Sequence, residues 1–240
     1  MHEQHLNWYT PHLSRHFDTL SFGHAGYPVI VFPTSLGRYF QNRNFGLIDS
    51  VAHLVDQGRI KIYCPDGIDE QSWYNQSISP ADRVRTHLAY ERVILHDLVP
   101  RAQHETGHAR VAVAGASFGG YHAVNFALRY PQLVGYCISM SGSFDIRPFV
   151  DGHYDDDVYF NNPVDYLPNL HDHGTLESIR RMGIILGTGD RDSCRDRNFQ
   201  LSNLLNGQGL PHFLDDRKWC GHDWNYWRDM FPHYLSLIHS

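Results

Sequence analysis

Three short stretches of this 240-residue chain hold residue types that could do acyl chemistry together. Gly115-Ala116-Ser117-Phe118-Gly119 follows the apolar run Val111-Ala112-Val113-Ala114 and leads into a helical pattern, Tyr121 to Arg129. A serine held on such a tight strand-to-helix turn needs neighbours without bulk, and Gly115, Gly119 and Gly120 leave that room. The turn projects the Ser117 hydroxyl, and the following helix aims its positive end and free N–H groups at the same point, where a developing oxyanion would be stabilised. Gly189-Asp190-Arg191-Asp192, just past Ile184-Ile185-Leu186, offers two carboxylates on one loop. Trp219-Cys220-Gly221-His222-Asp223-Trp224 then supplies an imidazole late in the chain. In the order nucleophile, acid, histidine, His222 can take the Ser117 proton and return it to a leaving group, while an aspartate fixes the ring tautomer. Asp192 closes a Gly-x-x-Asp turn and is favoured for that role over Asp190. Either aspartate could instead cap the next helix, and Asp223 is expected to N-cap the last one.

The backbone N–H of Phe118, the residue after the nucleophile, is expected to be one oxyanion donor. The second should come from the loop after the first buried strand, Pro33-Thr34-Ser35-Leu36-Gly37-Arg38, and the Leu36 and Ser35 N–H groups both qualify. Trp73 and Tyr74 follow a strand ending at Cys64, on the side where parallel sheets place their ligand loops, so they are candidate substrate contacts. Packing of a long surface loop would explain them equally well. Tyr154, Tyr159, Phe160 and Tyr166 would suit an aromatic or extended substrate, or a subunit interface.

The elements that must position these residues alternate. Strand-like runs at Val29–Phe32, Ile60–Cys64, Val111–Ala114, Leu133–Met140, Gly183–Leu186 and Phe213-Leu214 are separated by segments of helical period. That alternation predicts an α/β fold, a mainly parallel sheet with helices on both faces. Leu47, Val51, Leu54 and Val55 share one helical face. A long helix is expected from Pro80, with Val84, Leu88, Leu95 and Leu98 inward and an end at Pro100 or shortly after it. Trp227, Phe231, Tyr234, Leu235 and Ile238 mark the inner face of a last helix. Asn7–Leu13 and Phe17–Phe22 read as antiparallel strands at the sheet edge. The irregular stretch beginning near Ser143 reads as a small cap over residues 143–178, within one domain spanning 1–240.

Composition narrows the function classes. A formal net charge of -6, with 20 Lys and Arg and no basic run, argues against a nucleic-acid partner. The N-terminus shows no apolar leader and no segment approaches the length of a membrane span, so a soluble, cytoplasmic protein is expected. Cys64, Cys137, Cys194 and Cys220 lack metal-type spacing and read as free thiols, although Cys194 and Cys220 flank the acid and histidine closely enough in sequence to pair under oxidation. Asp155-Asp156-Asp157 and His171-Asp172-His173 do not match a calcium loop or zinc site and read as solvated charge.

Taken together, the serine turn, the Gly-x-x-Asp turn and the late Gly-His-Asp-Trp resemble the putative-esterase family of the α/β-hydrolase superfamily. That family includes S-formylglutathione hydrolases, feruloyl and acetylxylan esterases and mycolyl transferases. The resemblance runs from Pro28 to the C-terminus and is strongest to small bacterial esterases carrying Phe32-Pro33-Thr34-Ser35, Ser72-Trp73-Tyr74-Asn75 and His222-Asp223-Trp224. S-formylglutathione hydrolases usually place a histidine before the nucleophile and a methionine after it, whereas this chain has Ala116 and Phe118. The resemblance implies an esterase with Ser117, Asp192 and His222 as its triad, no cofactor and no metal, acting on a small-molecule ester. Acyl transfer, thioester or polyester hydrolysis by the same residues, and a non-catalytic binding role, are the competing expectations, and a homo-oligomer is compatible with the aromatic content.

Overall fold

The computed structural model describes residues 1–238. Eight strands form one sheet: β1 (Glu3–Thr10), β2 (Arg15–Phe22), β3 (Tyr27–Phe32), β4 (Ile60–Pro65), β5 (Val111–Ala116), β6 (Val134–Met140), β7 (Gly183–Arg191) and β8 (Phe213–Gly221). Their spatial order is β1-β2-β4-β3-β5-β6-β7-β8. β1 and β2 pair antiparallel with each other, and β2 pairs antiparallel with β4. All remaining neighbours are parallel. The chain thus belongs to the α/β-hydrolase fold, with the two N-terminal strands at the edge.

The parallel strands read as near-continuous apolar runs because both faces are covered. Side chains alternate between two cores with the period of a strand. Ile30, Phe32, Val111 and Val113 face one core, filled by Tyr90, Val93 and Leu98 and by Leu201 and Leu205. Val29, Val31, Ala112 and Ala114 face the other, filled by Leu47, Val51, Leu54 and Val55 and by Trp227, Phe231 and Tyr234.

The helices are α1 (Gln41–Asn44), α2 (Ala52–Asp56), α3 (Pro80–Val93), α4 (Val99–Thr106), α5 (Phe118–Arg129), α6 (Asp156–Tyr159), α7 (Pro163–Tyr166), α8 (His173–Arg180), α9 (Arg195–Gly207) and α10 (Trp224–Leu235). Two sequence expectations need correction. Leu47, Val51, Leu54 and Val55 are all buried as one face predicts, but a 3-10 turn at Asp49–Val51 splits the segment, leaving only α2 as regular helix. The helix begun at Pro80, N-capped by Ser79, does not stop at Pro100. A π-turn over Ile94–Leu98 widens the helix, Pro100 falls in the first turn of α4 where its missing N–H costs little, and the chain ends at Gly107 in the left-handed region, φ 74°.

Residues 143–178 run from the end of β6 into α8, with short helical turns before it. They bury Ile146, Val150 and Val158 against Trp73, Phe118 and Tyr121. Asp155 N-caps α6 and Asp172 N-caps α8, which accounts for those acidic positions by local backbone bonding.

The order β4-β3-β5 reverses the direction of strand addition between β3 and β5. Such a reversal opens a crevice at the carboxyl ends of those two strands. Register then decides what meets there. Phe32 pairs with Gly115, so the loop carrying Ser35 and the turn carrying Ser117 leave the sheet side by side. At the far side Arg191 pairs with Gly221, which brings the next residues, Asp192 and His222, to adjacent strand ends.

Candidate active site

Ser117 sits at φ 54° and ψ −121°, a strained conformation for a residue with a side chain. The strain is held from both sides. Ser117 N–H donates to the Met140 carbonyl (2.8 Å), and Gly120 N–H donates to the Ser117 carbonyl (3.0 Å). A Cβ on Gly115 would overlap the Gly119 backbone, and one on Gly120 would overlap Ser139 Oγ, so the small residues are required by close approach. A Cβ on Gly119 would lie 2.5 Å from the Pro33 carbonyl oxygen and 2.8 Å from that of Phe32. Helix α5 therefore lies directly against the start of the loop after β3.

The Ser117 hydroxyl donates to His222 Nε2 at 3.0 Å, and His222 Nδ1–H donates to Asp192 Oδ1 at 2.9 Å. The Asp192 side chain is fully buried, while about a quarter of His222 reaches solvent. Asp192 Oδ1 also accepts the Cys194 N–H (2.8 Å), and Oδ2 accepts the Thr188 hydroxyl (3.2 Å). Burial pushes the Asp192 carboxyl up, but the bonds from His222, Ser141 and the Cys194 N–H outweigh it and hold it below the usual carboxylate range. Burial pushes His222 down, yet the Asp192 bond and the adjacent Cys194 raise it to about 9. Trp227 stands edge-on to the His222 ring at 5.1 Å, and its Nε1–H donates to Ser141 Oγ (2.8 Å), which fixes one wall of the imidazole slot. Asp190 is elsewhere: its Oδ1 accepts the Trp219 N–H (2.7 Å). Asp223 N-caps α10 through the Asn225 N–H.

The loop after β3 separates the two expected donors. Leu36 N–H is committed to Asp69 Oδ2 (3.2 Å), Thr34 N–H to Gln41 Oε1 (2.9 Å) and Gly37 N–H to the Thr34 carbonyl (2.9 Å). Among the described residues no acceptor engages the Ser35 N–H. Of these groups, the Leu36 N–H points towards a buried carboxylate, while the Leu36 side chain is half exposed.

Trp73 is corrected as a substrate contact. It is 1% exposed and packs against His87, Tyr121 and Phe149, so it is core. Tyr74 is 37% exposed, edge-on to Phe118 at 6.0 Å, and its hydroxyl donates to Ser35 Oγ (3.0 Å). In the stretch after β6, Tyr154 and Phe160 are exposed and Tyr166 is buried. All four cysteines are free thiols, so Cys194 and Cys220 are unpaired with each other.

Asp192, Cys194 and His222 are the one group of possible metal ligands among the described residues, with donor atoms within 4.8 Å of one another. The 2.9 Å between Asp192 Oδ1 and His222 Nδ1 is a hydrogen bond. Two ligands about 2.0–2.2 Å from a tetrahedral ion would stand roughly 3.3 Å apart, so the arrangement fits a shared proton better than a metal. Asp66, Asp69, His122, Thr188 and Ser141 escape motif reading. The only sequence signal for the first two is a pair of aspartates three apart after a buried strand.

The fold is that of the α/β hydrolases, and its crevice carries a serine, a histidine and an aspartate in one hydrogen-bonded row. The family described as "Putative esterase" matches residues 16–238, and the chain belongs to it: the protein is a carboxylic ester hydrolase. Among solved structures it is similar to a ferulic acid esterase (18% identity, 98% of this chain and 95% of that one, TM-score 0.77). It is also similar to the substrate-bound fluorophosphonate-binding serine hydrolase F of Staphylococcus aureus (14%, 98% and 97%, 0.75) and to an S-formylglutathione hydrolase of Agrobacterium tumefaciens (13%, 98% and 93%, 0.75). A search of curated proteins gave no match. No helix among the described residues is long and apolar enough to cross a membrane.

Proposed function

We propose that the protein is a serine carboxylesterase that hydrolyses small to medium carboxylic esters through an acyl-enzyme on Ser117. The observation that carries this is the row Ser117–His222–Asp192, with contacts of 3.0 and 2.9 Å at the carboxyl end of the sheet. His222 Nε2 removes the hydroxyl proton as Ser117 Oγ bonds to the ester carbonyl carbon. The Phe118 and Ser35 N–H groups bind the resulting oxyanion, and Asp192 stabilises the imidazolium. Collapse expels the alcohol, which takes the proton from His222. Water then repeats the cycle on the acyl-enzyme and releases the acid.

The test is hydrolysis of p-nitrophenyl esters from acetate to octanoate by wild type and by folded Ser117→Ala. A loss of about 10⁴-fold or more is expected, as for removal of a triad nucleophile. Turnover indifferent to Ser117→Ala would overturn the reading. Covalent labelling by a fluorophosphonate probe, absent from Ser117→Ala, gives a second readout.

A further inference from the structure

The two flanks of the Ser117 turn differ in kind. Strand order puts the loops after β4 and β3 on one side of it and the loops after β6 and β7 on the other. The first side is aromatic: Phe149 reaches across to Tyr74 at 5.0 Å, and the two rings lie against Phe118 at 5.2 and 6.0 Å. On the other side stands Arg197, exposed, from the first turn of α9. Its Nη1–H donates to Ser143 Oγ (2.9 Å) and lies 3.6 Å from Cys194 Sγ. That sulfur is within 4.8 Å of a ring nitrogen of His222 and a carboxylate oxygen of Asp192. Two short steps therefore separate the guanidinium from the His222 ring.

Arg197 has no charge to answer it. Arg38 is neutralised by Asp66, Arg147 by Asp145 and Arg195 by Asp216, and Arg191 lies over the Trp219 ring. Among the described residues no carboxylate pairs with Arg197, whose two contacts are a neutral hydroxyl and a thiol. The first turn of a helix also favours carboxylates over cations, so the charge opposes α9 and a stabilising role does not explain it.

We infer that Arg197 is a specificity-determining residue that receives an anionic group, a carboxylate or phosphate, carried by the ester substrate. The inference rests on the serine-esterase reading above and narrows its substrate class. A planar guanidinium matches either anion with paired hydrogen bonds, and such charge-assisted bonds are roughly twice as strong as neutral ones. His222 returns its proton to the leaving oxygen, so the alcohol part starts beside the imidazole and is the nearer carrier of the charge.

The experiment uses two ester pairs that differ in charge. 4-Acetoxybenzoate against methyl 4-acetoxybenzoate places the charge in the alcohol part, and monophenyl adipate against methyl phenyl adipate places it in the acyl part. For wild type, Arg197→Lys, Arg197→Ala and Arg197→Glu, the quantity read is the ratio of kcat/KM for the anionic ester to that for its neutral partner. Effects of a variant on folding or on the Ser117–His222–Asp192 row act on both members of a pair and cancel. Arg197→Ala should lower the ratio about fivefold to thirtyfold in at least one pair, and more in the alcohol pair. The change should be carried by KM, because the contact lies away from the reacting atoms. Arg197→Lys should keep part of the preference, and Arg197→Glu should fall below Arg197→Ala. Raising sodium chloride from about 20 to about 500 mM should erode the wild-type ratio by screening and leave that of Arg197→Ala flat.

A ratio unchanged by Arg197→Ala in both pairs overturns the inference, as does an Arg197→Glu variant that keeps the wild-type ratios. Binding of the two anionic esters to folded Ser117→Ala, with and without Arg197→Ala, tests the charge without turnover by ligand-observed NMR. Weaker binding of at least one ester in the double variant is expected, and equal binding of both overturns the inference. Absence of Ser117-dependent turnover in wild type, with Arg197-dependent binding retained, would instead sink the esterase mechanism and leave the anion contact standing.

Discussion

Two loops at the crevice each hold a residue with a side chain at positive φ, Ser117 at 54° and Leu36 at 57°, and they are held by different means. Ser117 is gripped by the elements that flank it in sequence together with their sheet partners: a strand paired on both sides before it, a helix after it, and glycines that let β5, β6 and α5 close around it. Leu36 sits on a turn held by side chains from farther along the chain, Gln41 on Thr34, Tyr74 on Ser35 and Asp69, 33 residues away, on the Leu36 N–H. Local enforcement leaves a motif. Remote enforcement leaves only ordinary residue types at unremarkable positions.

The largest effect that would sharpen this contrast lies at the two aspartates of the β7 loop. Asp192→Asn should lower kcat by about 10⁴-fold, because the amide would favour the wrong imidazole tautomer. Asp190→Asn should change it by less than about threefold, since its partner is only the Trp219 N–H. The pH profile of kcat/KM carries a linked expectation. His222 must be neutral to accept a proton, and Asp192 raises its titration to about 9, so wild-type activity should climb with pH toward that value. In Asp192→Asn the principal raising contact is gone, and the acid limb should move to lower pH. An unmoved limb would mean that another group governs it.

A smaller effect is expected where the two loops touch. Gly119→Ala places a methyl against the Pro33 and Phe32 carbonyl oxygens, backbone atoms that cannot rotate away. Stability should fall by about 1–3 kcal/mol, as for overpacking, with a drop in kcat as the loop after β3 is pushed off the turn. Denaturant unfolding and kinetics would be measured on the same samples, and unaltered stability would show that the contact yields. The smallest effect belongs to Leu36→Gly. Relief of the left-handed strain, about 1–2 kcal/mol, is partly offset by the greater backbone entropy of unfolded glycine, leaving a gain of roughly 0.5 kcal/mol. A loss of stability there would mean that the leucine side chain contributes more than its backbone costs.

The serine turn was legible because crowding restricts it to small residues, and Asp192 and His222 because each follows a strand pattern in a fixed chain order. The fold class was legible because strands buried on both faces must be continuously apolar. Helix interiors were less so: the π-turn at Ile94–Leu98 allows a proline to follow without ending the chain's helical path, and the 3-10 turn at Asp49–Val51 keeps an apolar face while breaking the helix that it suggests. Trp73 and Tyr74 are adjacent in sequence, and only packing separates the buried indole from the half-exposed phenol.

By itself, then, the sequence determined the α/β class and singled out Ser117, Asp192 and His222 as candidates, since each of these readings depends on local periodicity or on neighbours within a few residues. Tertiary structure decided where the Leu36 N–H of the loop after β3 points, by placing Asp69 against it. It also decided that Asp192 and His222 meet at all, through the pairing of Arg191 with Gly221. The physical reason is the same in both cases: hydrogen bonds between strands and between buried side chains join residues far apart in sequence, and their partners are chosen by register and burial, which no short window of residues encodes.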